Sequence, residues 1–185
     1  MKMVTIIFAH PYMEQSVANR EILSYISKEC SNIEVRDLYK LYPDFNIDVE
    51  KEQEALVQSD VVVFQFPLFW YSVPAIMKQW MDLVLAHGFA FGTGGDKLQG
   101  KHFILSFTIG GDKDSYSPMG YNHFRVEEFL KMFEQTAYLS GMHYGAPIYE
   151  HAMRTIGGGA DVEAVKQRAV RQARRLVECI DTITE

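Results

Sequence analysis

The sequence VVVFQFPLFWYSVPAIMKQW at residues 61–80 is the clearest sign of the architecture of this chain. Its first part, Val61–Phe66, is a short and almost continuous apolar run, which is typical of a strand buried on both faces of a sheet. An aromatic loop follows, and Pro74 then stands where the first turn of a helix accepts proline. One face of that helix gathers four apolar side chains: Ile76, Trp80, Leu83 and Val84. We therefore predict a buried strand, a loop and a packed helix in succession.

Strands and helices alternate in the same way along the whole chain. Apolar runs predict further strands at Val4–Ala9, Ile33–Val35, His102–Thr108 and Tyr144–Tyr149. Apolar residues at helical spacing predict helices over Ser16–Glu29, Lys51–Gln58, Phe124–Leu139 and Val162–Ile180. Strands joined by crossover helices form a parallel sheet covered on both faces. We therefore expect one α/β domain over residues 1–185, a flavodoxin-like three-layer sandwich with five parallel strands in the order 2-1-3-4-5.

The composition disfavours several classes of protein. Apolar residues make up 48% of the 185 residues and charged residues 23%, as in a globular rather than a disordered chain. Asp and Glu outnumber Lys and Arg by 24 to 18, and the net charge of −6 disfavours nucleic acid as the main partner. Cys30 and Cys179 form no CxxC pair, the histidines show no metal-ligand spacing, and no apolar run is long enough to span a membrane. We therefore expect a cytoplasmic protein without a metal ion.

Three loops are expected to form the ligand site. In a sheet of this order the ligand crevice opens at the carboxyl ends of strands 1 and 3, where the strand order reverses. Residues 10–15, 67–73 and 109–122 all follow strands that end at this edge. The chain also contains 12 Phe, 10 Tyr and 2 Trp, an abundance that favours a large apolar interface, a flat ligand, or both.

The first loop lies within AHPYMEQSVAN at residues 9–19 and lacks the glycine pattern of the common nucleotide-binding motifs. It nevertheless brings a helix N-terminus to the crevice, where free amides would hold a phosphate. These amides belong to Ser16, Val17, Ala18 and Asn19, and the Ser16 hydroxyl and Asn19 side chain lie beside them. His10 would add a hydrogen bond or a charge. In the alternative interpretation, Ser16 only caps the helix and His10 only packs.

The second loop, PLFWYS at Pro67–Ser72, places three consecutive rings outside any helix or strand. Phe69, Trp70 and Tyr71 cannot all point into the core from a turn, so we expect them to stack on or edge a planar ligand. The alternative is a subunit interface, where aromatic residues also concentrate.

The third loop begins with Gly110-Gly111. Glycine allows the backbone to approach a ligand closely or to adopt a positive φ, and successive N–H groups there would face an electron-rich ring edge. Tyr116 follows five residues later, above the expected crevice. The alternative for this tyrosine is an ordinary surface position.

Three motifs together resemble the NAD(P)H:quinone oxidoreductase family of flavodoxin-like flavoproteins. They are HPYMEQSVAN at residues 10–19, QFPLFWYSVPAIMKQW at residues 65–80 and TIGGDKDSYS at residues 108–117. The resemblance extends from about residue 3 to residue 140. Within the family, LYPDFNID at Leu41–Asp48 followed by EQEAL at Glu52–Leu56 is most similar to small bacterial ancillary subunits of glutathione-gated potassium efflux systems.

The resemblance implies a homodimer with flavin sites at the subunit interface, FMN or alternatively FAD as the flavin, and NAD(P)H as co-substrate. Flavin phosphate would be held by His10, Ser16, Val17, Ala18 and Asn19. The ring would lie along Pro67, Leu68, Phe69, Trp70 and Tyr71, with its pyrimidine edge against Thr108, Ile109, Gly110 and Gly111. Tyr116 matches the family's active-site tyrosine, whereas Asn122 stands where mammalian members carry a histidine.

The implied activity is the two-electron reduction of quinones, or similar flat acceptors, by NAD(P)H in a ping-pong reaction. The amides of Gly110 and Gly111 and the hydroxyl of Tyr116 would stabilise developing negative charge, and Asn122 would donate a hydrogen bond. An alternative is a regulatory subunit that docks on a potassium efflux transporter at the inner face of the membrane. A one-electron carrier and an azo- or nitroreductase are further alternatives.

Overall fold

Neighbouring strands of the central sheet are parallel throughout the described chain. The computed structural model describes residues 2–155 and 161–184. Its strands are β1 Val4–Phe8, β2 Ile33–Asp37, β3 Val61–Pro67, β4 His102–Thr108, β5 His143–Tyr144 and β6 Ile148–Glu150. The order β2-β1-β3-β4-β5 confirms the predicted one, and β6 also pairs with β4.

The prediction of one continuous last strand over Tyr144–Tyr149 is wrong, because the structure has two short strands there. β5 pairs with the start of β4 and β6 with its end. Between them the Gly145 N–H still bonds the Phe103 carbonyl at 2.8 Å. Pro147 has no N–H to donate, so it interrupts the ladder. The sheet of the described residues therefore has six strands, where five were predicted.

Helices cover both faces of this sheet. They are α1 Val17–Glu29, α2 Leu38–Leu41, α3 Val49–Gln58, α4 Ala75–Val84, α5 Val126–Phe129, α6 Lys131–Leu139 and α7 Val162–Thr184. Successive residues of a strand point to opposite faces, so Ile6 and Val63 pack against α1 and α7, while Ile7 and Phe64 pack on the side of α2 to α6. The result is the predicted three-layer sandwich.

The single helix predicted over Phe124–Leu139 is two helices, α5 and α6. At the break, the N–H of Leu130 bonds the carbonyl of Glu127, three residues back instead of the four of an α-helix. The tighter turn keeps the Leu130 side chain in the core. The short helix α2 was not predicted at all.

The carboxyl ends of β1, β3 and β4 lie at one edge of the sheet. The strand register aligns Phe8 with Gln65 and Pro67 with Thr108. The three loops expected to form the crevice therefore leave the sheet side by side. Within residues 2–155 and 161–184, no helix is long and apolar enough to cross a membrane.

Candidate functional site

Two adjoining cavities open at this edge. The larger, about 750 Å³, lies between the second and third loops. The smaller, about 280 Å³, lies against the first loop and the N-terminus of α1. Leu68, Gly110 and Arg154 line both of them. Small-molecule sites span about 300–1,000 Å³, so the larger cavity is of ligand size and the smaller is just below it.

The N-terminus of α1 presents free donors to the smaller cavity. Ser16 caps the helix, because its Oγ accepts the N–H of Asn19 at 3.2 Å. The N–H of Ser16 itself bonds the Met13 carbonyl, so it is not available to a ligand. The N–H groups of Val17 and Ala18 have no acceptor among the described residues. Together with the Ser16 hydroxyl, these two amides are unpaired donors at a helix N-terminus, the kind of group that holds anions in other proteins.

The Asn19 side chain ties the first loop to the sheet at the edge of the smaller cavity. Its side-chain amide donates to Ser16 Oγ at 3.2 Å and to Thr108 Oγ1 at 3.3 Å. Its Oδ1 accepts from Gln65 Nε2 at 2.9 Å. These bonds position the two loops, and Asn19 and Thr108 also line the smaller cavity, so the prediction that they contact a cofactor stays a prediction.

His10 is a neutral hydrogen-bonding residue. The side chain is buried, and burial lowers its pKa to about 4. Its Nδ1 accepts the N–H of Tyr12 at 3.1 Å, which leaves Nε2–H as a donor. Of the two predicted roles, burial therefore favours the hydrogen bond over the positive charge.

The aromatic loop is a tight turn with an unusual backbone. Phe69 and Ser72 exchange both of their backbone hydrogen bonds, at 3.1 and 3.0 Å. The two residues between them, Trp70 and Tyr71, have φ angles of 48° and 63°. Such a turn normally carries glycine or asparagine at both positions. It holds the Trp70 ring almost wholly in solvent at the mouth of the larger cavity.

The second loop is fixed to the third loop at its start and at its tip. The Leu68 N–H donates to the Thr108 carbonyl at 2.8 Å. The Tyr71 hydroxyl donates to Asn122 Oδ1 at 3.0 Å, so Asn122 keeps its amide hydrogens for a ligand. Pro67 and Leu68 are buried and line the smaller cavity, and Leu68 lines the larger one as well.

The two glycines of the third loop allow neighbouring groups to approach the backbone closely, and they are not needed for an unusual backbone conformation. Neither has a positive φ, and their N–H groups have no acceptor within the described part of the chain. A Cβ at Gly111 would lie 3.2 Å from Tyr116 Cε2. Ile109 differs, because its side chain is buried and its backbone is paired with Glu150 and Met153. Ile109 therefore supports the loop and lines neither cavity.

Tyr116 stands against the larger cavity with its hydroxyl free. Its ring packs edge-on against Phe129 at 6.3 Å and tilted against His151 at 5.4 Å. Burial, with a smaller contribution from Tyr71, raises its pKa. The hydroxyl makes no hydrogen bond to another described residue, so it is available as a donor to a ligand.

His151 and Arg154 are among the residues of the site that sequence reasoning missed. Both follow β6, in a segment whose backbone is bonded to Ile109 and Gly111. His151 contacts Tyr116, and Arg154 lines both cavities. No motif marks either position, because only the register of β6 against β4 brings this segment to the crevice.

Three relatives share most of their length with this chain. General stress protein 14 of Bacillus subtilis (strain 168) is 46% identical over 144 residues, which cover 78% of this chain and 82% of the relative. The glutathione-regulated potassium-efflux system ancillary protein KefG of Cronobacter sakazakii (strain ATCC BAA-894) is 44% identical over 78% of each chain. The uncharacterized NAD(P)H oxidoreductase YrkL of Bacillus subtilis (strain 168) is 44% identical, over 75% of this chain and 79% of the relative.

Solved structures are similar over almost the entire chain. General stress protein 14 from Treponema denticola, solved in complex with FMN, superimposes with a TM-score of 0.87 at 31% identity, over 98% of this chain and 99% of that one. An NADPH-quinone reductase from P. pentosaceus gives a TM-score of 0.79 at 28% identity, over 94% and 96%. A protein described as a tryptophan halogenase from Streptomycin violaceusniger gives a TM-score of 0.84 at 39% identity, over 94% of this chain and 97% of that one.

The names of these relatives and neighbours describe different activities, whereas the superimposed structures share the fold of this chain. The family model for the Flavodoxin-like fold matches residues 2–177. Together with the sheet order and the three loops at one edge, this match shows that the chain belongs to the Flavodoxin-like fold family.

Proposed function

We propose that this protein is an FMN-dependent NAD(P)H:quinone oxidoreductase, with residues 1–185 acting as one flavin-binding domain. The observation that carries the proposal is the pair of adjoining cavities at one sheet edge. One cavity ends in free helix amides, and the other is walled by aromatic rings. Relatives named as an NAD(P)H oxidoreductase and an NADPH-quinone reductase support the reaction class, and a neighbour solved with FMN supports the cofactor.

The residues present fit a phosphorylated flavin. Val17 and Ala18 N–H and the Ser16 hydroxyl would hold the phosphate. Pro67, Leu68 and Phe69 would flank the ring, and the free N–H groups of Gly110 and Gly111 would meet its polar edge. We prefer FMN to FAD because the neighbour of known ligand binds FMN.

The chemistry follows from the donors around the larger cavity. Bound FMN would supply the redox chemistry by accepting a hydride from NAD(P)H and delivering it to the quinone. Gly110, Gly111 and Tyr116 line the larger cavity with unpaired N–H and O–H donors, and donors fixed in advance would stabilise developing negative charge most effectively. Trp70 and Tyr71 wall the cavity and favour flat substrates.

The dinucleotide and the quinone would use the same slot in turn. A single aromatic-walled cavity of about 750 Å³ adjoins the proposed flavin site. NAD(P)⁺ must then leave before the quinone enters, and parallel lines are expected in double-reciprocal plots of NADPH against menadione. Intersecting lines would contradict a shared slot.

Replacement of Tyr116 by phenylalanine tests the role of its hydroxyl. Loss of one fixed donor typically slows a reaction by about 10²–10³-fold, and we expect a loss of that order in the rate of flavin reduction for Tyr116→Phe. Tyr121→Phe removes the same group from an exposed tyrosine of the same cavity and should change the rate by less than about two-fold. Equal rates for Tyr116→Phe and the wild type would remove the tyrosine from the mechanism.

We also propose that the protein forms a homodimer that covers the mouth of the larger cavity. Trp70 and Tyr121 line this cavity at its mouth and are 92% and 87% exposed. Large exposed apolar groups of this kind are typical of interaction surfaces. Sedimentation analysis should give twice the chain mass, and a monomer that reduces quinones at full rate would exclude the dimer from the mechanism.

A second candidate function is that of an ancillary subunit of a potassium efflux transporter. The relative KefG carries this name at 44% identity. In this role the protein would work in the cytoplasm, at the inner face of the cell membrane, with reductase activity secondary. Co-purification with a potassium efflux transporter from the same cells, together with activation of transport by the Tyr116→Phe variant, would favour docking over catalysis.

A further inference from the structure

The proposed phosphate site contains one charged side chain. A phosphate monoester carries about −1.5 to −2 charges near neutral pH. The smaller cavity offers it neutral donors from Ser16, Val17 and Ala18, and His10 is uncharged there because burial lowers its pKa to about 4. Among the described residues that line this cavity, Arg154 alone carries a charge.

The backbone around Arg154 is held firmly against the third loop. Met153 N–H bonds the Ile109 carbonyl at 2.9 Å, and Ala152 N–H bonds the Gly111 carbonyl at 3.0 Å. The chain turns sharply between these bonds, since Ala152 has a φ of 54°. As a result, the Arg154 Cβ lies 3.6 Å from the position that a Cβ on Gly110 would occupy. The Arg154 side chain therefore leaves the backbone at the junction of the two cavities.

The guanidinium of Arg154 is exposed and has no partner among the described residues. Two other arginines form ion pairs: Arg36 with Glu52 and Glu34, and Arg171 with Glu150. No ion pair or hydrogen bond within residues 2–155 and 161–184 involves the Arg154 side chain. A free cation that lines an otherwise neutral anion site suits a ligand that brings its own negative charge.

We propose that Arg154 is the residue that makes this site select a phosphorylated flavin over riboflavin. The proposal rests on the proposed function, because it requires a flavin in these cavities. The guanidinium would form charge-assisted hydrogen bonds with the phosphate, in addition to those from the helix terminus. A cation at this point also offsets the unfavourable approach of a phosphate to a chain of net charge −6.

The test compares the dissociation constants of FMN and riboflavin for the full chain, measured by quenching of flavin fluorescence. Loss of a hydrogen bond to a charged group corresponds to roughly a 10- to 100-fold loss of affinity, so Arg154→Gln should raise the dissociation constant of FMN by that factor. Riboflavin binding should change by less than about two-fold, because it lacks the phosphate. Arg154→Lys keeps the charge and should therefore lose less FMN affinity than Arg154→Gln. The FMN affinity of the wild type should fall more steeply with rising salt concentration than that of Arg154→Gln.

Arg174→Gln is the matched control, because Arg174 is exposed on α7 and lines neither cavity. It changes the net charge equally and should leave both affinities unchanged. An unchanged FMN affinity in Arg154→Gln would overturn the inference, and so would an equal loss for both flavins, which would place Arg154 against the ring. A wild-type protein that binds neither flavin would instead refute the proposed function itself.

Discussion

Trp70 and Tyr71 hold backbone angles that glycine or asparagine adopts more cheaply. Their φ angles of 48° and 63° lie in the left-handed region, where side chains with a Cβ cost of order 1–3 kcal/mol each. The hydrogen bonds between Phe69 and Ser72 enforce the turn despite this cost. Strain of this kind persists where the surrounding structure requires it, and here it coincides with the mouth of the larger cavity.

Replacement of Trp70 by glycine should separate stability from binding. Trp70→Gly relieves the strained φ and exposes no core, so we expect the free energy of unfolding to rise by about 0.5–1 kcal/mol. FMN affinity should fall, because the ring that walls the cavity is lost. Urea unfolding and flavin titration measure the two effects. Trp70→Phe keeps both ring and strain and should resemble the wild type, whereas a less stable Trp70→Gly would contradict the account of strain.

His10 should make the fold sensitive to acid. Its pKa in the folded protein, about 4, lies below the ordinary value of 6.5, so the unfolded chain takes up a proton first. The stability contributed by neutral His10 is therefore complete above pH 6.5 and is lost as the pH falls toward 4, up to a maximum of about 3 kcal/mol.

Urea unfolding between about pH 7 and about pH 4 measures this loss. His10→Gln should flatten the dependence without abolishing it, since burial also lowers the pKa of His102 and His151. An equally steep dependence in His10→Gln would show that His10 is not the residue responsible.

At the level of elements, the buried carboxylate of Glu52 links α3 to β2, to α4 and to the residue that follows α2. Glu52 of α3 accepts hydrogen bonds from Arg36 on β2, from the Tyr42 hydroxyl at 2.6 Å and from Trp80 Nε1 on α4 at 2.8 Å. Tyr42 follows α2 directly. Sequence patterns give no hint of this network, because a glutamate on an amphipathic helix is normally solvated.

Removal of this carboxylate should destabilise the fold without altering the site. Glu52→Ala leaves Arg36 without its buried partner, and such losses cost about 3–5 kcal/mol. Glu54→Ala, on the exposed side of the same helix, should cost less than about 0.5 kcal/mol. Thermal or urea unfolding compares the two variants. FMN affinity of the folded fraction should be unchanged in both, since α3 lines neither cavity, and similar stabilities would contradict the role of the network.

The elements that could be predicted are those that the residues within the element itself determine. β4 has the predicted bounds, and β3 extends beyond them by Pro67 alone, because continuous apolar runs mark buried parallel strands. The interruptions at Pro147 and Leu130 were not predicted, because they depend on how short segments bond to their neighbours. The loops of the site followed from strand order. No motif marks Arg154, and the motif that contains Asn19 does not predict its bonds to Thr108 and Gln65, because these features depend on contacts with distant parts of the chain.

At the scale of the whole molecule, the sheet brings three distant loops into one continuous site. The helix terminus at Val17, the aromatic turn at Trp70 and the glycines at Gly110 each line one or both of the adjoining cavities, where we propose that FMN binds. None of the three would suffice alone, since a single helix terminus or a single aromatic loop has many other uses.

Flavin titration tests this central claim most directly. The purified full-length protein is examined for visible absorbance, any released chromophore is identified by mass, and FMN is then titrated into the flavin-free protein. We expect one FMN per chain, with quenching of its fluorescence. A colourless protein that leaves the fluorescence of added FMN unchanged would contradict the account.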